Sequence, residues 1–127
     1  MIQKGAYFKV VDNSGAKKAC CIHVSGGYRK RYGKTGDVIV VSIKSLRAKR
    51  REVSKIKKGD VLKALIVKTK VFKPSYSQEC VSFFENSVVL LNNQNKLIGT
   101  RVFGPIEKTF RYTKYLRILS LASGVIK

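Results

Sequence analysis

Two short segments of near-identical design constrain this chain more than any other feature. Lys34-Thr35-Gly36-Asp37-Val38-Ile39 and Lys57-Lys58-Gly59-Asp60-Val61-Leu62 each set a Gly-Asp pair directly before an apolar run. Glycine tolerates positive φ and aspartate hydrogen-bonds nearby backbone, so each segment turns the chain and launches a strand. Asp37 to Ile43 is nearly continuous in β-branched residues, which fits a strand buried on both faces or lining a barrel. Val61 to Phe72 reads as a long strand. Its end alternates, with Lys68 and Lys70 on one side and Val67, Thr69 and Val71 on the other, the pattern of a half-exposed sheet face. Between the launches runs a cationic arm, Ser45 to Lys58. From Lys44 onward this stretch carries Lys44, Arg47, Lys49, Arg50, Arg51, Lys55, Lys57 and Lys58 against the single Glu52.

The remaining elements fit round that pair. Ala6 to Val11 is a short apolar run closed by the turn cluster Asp12-Asn13-Ser14-Gly15, and Ala19 to Val24 is the next strand. Gly26-Gly27 opens a loop of tyrosine and cations, Tyr28-Arg29-Lys30-Arg31-Tyr32, which Gly33 and Gly36 close. Pro74 to Glu79 is a turn, Val81 to Phe84 and Ser87 to Leu91 are short strands, and Asn92-Asn93-Gln94-Asn95 is a polar turn. The last third changes period. Thr113 is a candidate N-cap, and Tyr115, Ile118, Leu119 and Ala122 fall at helical spacing before Gly124, with a weaker helical stretch at Glu107 to Arg111. Five or more short strands with glycine turns, and helix only at the end, predict a mainly β protein. It is a small closed β-barrel over about residues 1–104, with a short C-terminal helical region over about 105–127 in one domain of 127 residues.

Charge narrows the function. Twenty-seven Lys and Arg against seven Asp and Glu give a net +20, while the apolar fraction of 44% is ordinary for a globular chain. A compact domain at that charge repels itself unless a polyanion neutralises it, and nucleic acid is the leading polyanion. If six to ten cations meet phosphates, affinity falls roughly 10³–10⁵-fold between 50 and 200 mM salt. Tyr28 and Tyr32 are candidates either to stack on bases or to pack beneath their loop. Few aromatics line any one strand, so shape and backbone binding to folded RNA is favoured over reading of single-stranded sequence. A free-standing barrel binding single-stranded nucleic acid is the alternative. No apolar run reaches the roughly eighteen residues of a membrane-spanning helix, so no membrane insertion is expected. Nor is a targeting segment expected at the Met1-Ile2-Gln3-Lys4 start.

Catalytic chemistry has little material. His23 is the one histidine, the carboxylates are scattered, and Asp12, Asp37 and Asp60 sit at turns as caps. Gly27 to Thr35 approaches a phosphate-binding loop, but five residues separate its glycines where the motif has four, and a strand follows where a helix is required. Cys21 and His23, two apart, would share a strand face and with Cys80 offer three soft ligands, yet zinc sites bring closely paired ligands. No metal and no cofactor are expected. Three cysteines without C-x-x-C spacing suit a reducing compartment.

Longer motifs carry a resemblance. The opening M-I-Q, then V-V-D-N-S-G-A-K-K, G-G-Y-R-K-R-Y-G-K-T-G-D-V-I, K-K-G-D-V-L-K-A-L-I-V-K-T-K, F-E-N-S-V-V-L-L-N-N, I-G-T-R-V-F-G-P-I and the closing L-S-L-A together resemble the universal large-subunit ribosomal protein fourteen family, in its bacterial and organellar form, over essentially the whole chain. The resemblance implies a five-stranded barrel with a small C-terminal helical region and a non-enzymatic, structural role. It also implies binding to large-subunit rRNA, a bridge to small-subunit rRNA at the intersubunit interface, and ribosomal proteins three and nineteen as neighbours. It further implies a surface for a ribosome-silencing factor at Thr100, Arg101 and Lys114. For RNA the expected contacts are Arg29, Lys30, Arg31, Lys44, Arg47, Lys49, Arg50, Arg51, Lys55, Lys57, Lys58, Lys68 and Lys70. The sequence departs from the family in three places: a more cationic arm, Gln78 where a tight-turn glycine is usual, and the tail Ser123-Gly124-Val125-Ile126-Lys127. Nineteen lysines against eight arginines, with plentiful Ile, Phe, Tyr and Asn, suit an AT-rich organellar genome. A mitochondrial ribosome is therefore the expected location, with plastid or bacterial cytoplasm as alternatives.

Overall fold

The computed structural model describes residues 2–48, 55–70, 73–74 and 80–126. Five strands close a barrel in the order β1 (Tyr7–Val10), β2 (Ala16–Val24), β3 (Val38–Leu46), β4 (Val61–Lys68) and β7 (Ser87–Leu91). The pairs are antiparallel except for β1 with β7, whose parallel register Lys9↔Ser87 seals the cylinder. The two launching turns are built alike. Asp37 Oδ2 accepts from Lys34 N at 2.8 Å and Asp60 Oδ2 accepts from Lys57 N at 2.8 Å, while Gly36 and Gly59 hold φ of 92° and 91°. Each glycine also donates its N–H across the sheet, Gly36 to Ile66 O and Gly59 to Ile43 O, both at 2.8 Å. A β-carbon at either φ would be strained, so the shared Gly-Asp spelling reflects a shared geometry.

Strand β3 alternates strictly, with Ile39, Val41 and Ile43 buried and Lys44 exposed, so it lines the barrel rather than being buried on both faces. Phe8, Val10, Ala19, Ile66, Val88 and Leu90 fill the interior with them. Strands β4 and β7 do face apolar surroundings on both sides. Ala64, Ile66, Val88 and Leu90 point in, while Leu65, Val67, Val89 and Leu91 point out into a second core. That second core lies beneath β8 (Val102–Glu107), a 3-10 helix (Lys108–Tyr112), α1 (Arg117–Leu121) and β9 (Ala122–Ile126). Phe110 and Ile118 are buried there, each contributing about 1.5–3 kcal/mol of apolar burial. A short β5–β6 pair, Lys73–Pro74 against Cys80–Val81, branches off beyond β4.

The C-terminal region has its expected short helices, at Lys108–Tyr112 and Arg117–Leu121, but its end differs from the helical expectation. Thr113 accepts from Tyr115 N and donates to Phe110 O, so it closes the 3-10 helix, and α1 is only five residues long. Ala122 and Gly124 belong to β9, which runs parallel to β8 with Pro105↔Gly124 and Ile106↔Val125 paired. Five residues make too short a helix to stand on propensity, and pairing with β8 satisfies the tail's backbone instead. The 3-10 helix and α1 form the crossover that two parallel strands require.

A second correction concerns β2. Register shifts interrupt it between Ala16 and Ala19 and again between Cys21 and His23. Cys21 is buried and His23 exposed, so the strand face they were expected to share does not exist. No metal-ligating cluster forms among the described residues.

Candidate nucleic-acid interface

Antiparallel topology distributes the cations. The Tyr-Arg-Lys loop precedes β3 and the arm follows it, so the two lie at opposite ends of the barrel, separated by about 25 Å of strand. The loop end is pinned by Ile2, which exchanges backbone hydrogen bonds with Gly33 at 3.0 and 2.7 Å and buries its side chain in the barrel mouth. From it Arg29 and Arg31 project into solvent, Arg29 at φ 58° with its guanidinium 5.2 Å from the Tyr28 ring. Tyr28 is 90% exposed, which rules out packing beneath the loop. Lys30 is half-buried and ion-paired to Asp37 at 3.0 Å, so it braces the loop. Lys70, just past β4, is exposed beside β1, where its N–H donates to Asn86 Oδ1.

At the arm end, Lys44 leaves β3 exposed, and Lys55, Lys57 and Lys58 are exposed on the return towards β4, with Ile56 tucked into the core between them. Lys49, Arg50 and Arg51 lie outside the described residues, as does Gln78. Arg47 turns inward. Its Nη2 donates to Val10 O at 3.4 Å, and its guanidinium sits 5.1 Å from the Phe103 ring, so it packs the arm onto the barrel.

Lys68 was expected on a solvent face with Lys70, and the structure buries it instead. Strand β8 crosses here, leaving Lys68 7% exposed with Nζ donating to Phe103 O at 3.3 Å and lying 5.7 Å from the Phe83 ring. Gly104, at φ 82°, makes room for it; a β-carbon there would stand 2.5 Å from Nζ. Burial pulls the Lys68 ammonium below the ordinary lysine range, with Glu85 opposing that shift and Lys9 adding to it. A side chain so enclosed is unavailable to phosphate.

The I-G-T-R segment docks on the Asp12-Asn13-Ser14-Gly15 turn. Asn13 Oδ1 accepts from Thr100 N at 2.7 Å and Arg101 N at 3.3 Å, and Asn13 Nδ2 donates to Thr100 Oγ1 at 2.8 Å. Gly99 fits because a β-carbon would meet Asn13 Oδ1 at 2.8 Å and Asp12 Cβ at 2.9 Å. Asp12 is fully buried and accepts from Leu90 N at 3.0 Å, Ser14 N at 3.1 Å and the Ser14 hydroxyl. Burial pushes its carboxyl upward, against those hydrogen bonds and Arg47. Thr100 and Arg101 are thus exposed on a fixed frame, and Lys114 is exposed in the turn before α1.

Sequence reasoning passed over Lys9, Lys17 and Lys18. The last two stand side by side in solvent because the first irregularity in β2 breaks its alternation. The run A-K-K-A was the available signal: two cations between two small residues cannot both face a core. Across residues 1–126 the chain matches the family model described as ribosomal protein L14p/L23e.

Proposed function

Because the chain belongs to the ribosomal protein L14p/L23e family and is thereby a structural constituent of the large ribosomal subunit, we propose that it binds large-subunit rRNA through the phosphate backbone at both ends of its barrel. One observation carries this reading. Arg29, Arg31, Lys44, Lys55, Lys57 and Lys58 are exposed at the two ends and Lys70 beside β1, and the ion pairs among the described residues are only Lys9–Glu85 and Lys30–Asp37. A cationic surface left so little compensated fits a polyanion partner. Lys49, Arg50 and Arg51, carried on the same arm, extend that contact. The role is structural and non-catalytic.

In the subunit the protein contributes to the intersubunit interface, reaching small-subunit rRNA at a bridge and lying beside ribosomal proteins three and nineteen. The surface of Thr100, Arg101 and Lys114 receives the ribosome-silencing factor, a reading supported by the hydrogen bonds with Asn13 that fix the first two. The lysine-rich, AT-biased composition supports a mitochondrial ribosome.

Sedimentation tests the reading. The tagged chain is expected to migrate with the large subunit in high salt and to be released by ribonuclease, whereas a free monomer in lysate overturns it. Charge reversal at Lys55, Lys57 and Lys58 is expected to weaken incorporation while the isolated protein keeps its melting temperature. An equal loss of stability would make the arm a structural element.

A further inference from the structure

The outer face of β1 and β2 belongs to neither apolar core, and cations gather there. Lys9 of β1 lies directly across from Lys18 of β2 in the antiparallel register. Directly opposed side chains have β-carbons about 4.5–5.5 Å apart, and like charges at that position are destabilising. The bulged register brings Lys17 to the same exposed side. Lys70 enters from beyond β4. Its N–H donates to Asn86 Oδ1 at 2.9 Å while Lys9 N donates to Asn86 O at 3.1 Å, so one asparagine ties both lysine-bearing backbones together. A groove of about 630 Å³ runs between these lysines, with Tyr7 in its wall, 65% exposed.

Among the described residues only Glu85, 3.3 Å from Lys9, offsets this charge. Lys17, Lys18 and Lys70 have no carboxylate partner among the described residues. A cross-strand pair of like charges held on a closed barrel costs stability unless an anion lies between them. Tyr7 and Lys9 share a strand face two residues apart, about 6.6 Å, so a base resting on the Tyr7 ring leaves its neighbouring phosphate within reach of Lys9 and Lys18.

We infer that this groove is a binding site for an unpaired stretch of RNA, with phosphates on Lys17, Lys18 and Lys70 and one base stacked on Tyr7. The groove's role presupposes that the chain binds rRNA, and it adds a contact on the barrel wall to those at its two ends. Lysines supply point charges without the planar fork that reads base edges, so the site holds backbone and carries no sequence preference of its own.

Fluorescence anisotropy on the full chain separates the possibilities, using a labelled unpaired RNA oligomer and a labelled RNA duplex over a salt series. Replacing Lys17, Lys18 and Lys70 together by Gln is expected to lower the slope of log affinity against log salt by about 2 for the unpaired strand, at roughly 0.7 per phosphate. Tyr7→Ala is expected to weaken binding roughly 5- to 150-fold, while Tyr7→Phe keeps the ring and the affinity. All four side chains are solvent-exposed, and a melting temperature no lower than that of the wild type for each variant confirms that folding is intact. A wild-type slope in the triple variant overturns the groove assignment while RNA binding stands. Equal losses for Tyr7→Ala on duplex and unpaired RNA overturn the unpaired-strand assignment. Failure of the wild-type chain to bind either RNA overturns the RNA reading itself.

Discussion

Replacing Asn13 by Ala unfastens the I-G-T-R segment from the turn that carries it. Three hydrogen bonds go: Thr100 N and Arg101 N to Oδ1 at 2.7 and 3.3 Å, and Nδ2 to Thr100 Oγ1 at 2.8 Å. An intramolecular hydrogen bond contributes about 1 kcal/mol net, and the 3.3 Å contact contributes least. The freed N–H groups belong to exposed residues and can turn to water, so no full desolvation penalty is added. The expected loss is about 2 kcal/mol, equivalent to a fall in Tm of roughly 6–10 °C for a domain of this size. Asn13→Asp keeps an acceptor for both amides and lets the Thr100 hydroxyl reverse its role as donor, so it should retain most of the stability. Urea denaturation gives the energy, and hydrogen exchange gives the location: protection should fall at Thr100 and Arg101 while β7 amides stay protected. A loss below about 0.5 kcal/mol would mean that these bonds merely replace water contacts. Exchange that quickens throughout β7 would mean that the side chain supports the barrel and not the docked segment.

Two further outcomes follow from buried groups. Lys68 has a depressed pKa in the fold, so the neutral amine is the better-accommodated form, and its contribution to stability is present above the free-lysine value of about 10.4 and lost as pH falls through the lower folded value. The stability of Lys68→Met relative to wild type should therefore decline as pH rises towards that value, and a pH-independent difference in urea melts would show the ammonium to be solvated. Burial, aided by the neighbouring Cys20, also pushes the Cys21 thiol upward, so on native protein Cys20 should alkylate ahead of Cys21; peptide fragmentation that places the first label on Cys21 would refute this.

The barrel was legible because its signals are local. The Gly-Asp turns need positive φ and a backbone-capping carboxylate, and those needs are written in adjacent residues. The polar turn behaved likewise: Asn92 Oδ1 accepts from Gln94 N and Lys96 N, and Asn95 adopts φ 61°. What escaped depended on partners remote in sequence. Lys68 alternates properly with Lys70, yet β8 arrives 35 residues later to cover one and leave the other free. Ala122 fits a helical period, and only the position of β8 makes an extended tail better. The irregularities of β2 accompany its pairing with both β1 and β3; the run A-K-K-A hints at the first, and nothing in Cys20–Val24 announces the second. Sequence proximity misled in the same way for Arg47, a cation within a cationic arm whose guanidinium is occupied by Val10 and Phe103.

These corrections change how the charge is deployed. The outward residues of β4 and β7, Leu65, Val67, Val89 and Leu91, commit that side of the barrel to the chain's own C-terminal segment. The remaining exposed cations of the barrel itself then fall on the β1–β2 wall and the two ends, while Lys108, Arg111, Lys114 and Arg117 are exposed on the covering segment. Arg29 and Arg31 on one end and Lys55, Lys57 and Lys58 on the other lie too far apart to serve one phosphate cluster, since 25 Å of strand exceeds the screening length of about 8 Å at physiological salt. On the proposed function each end meets RNA as a separate contact, and Lys9, Lys17, Lys18 and Lys70 occupy the wall between them. A continuous path over loop, wall and arm would let one folded RNA surface wrap the exposed half of the barrel. On that geometry, charges removed from different stations should weaken binding additively, because side chains this far apart share no partners.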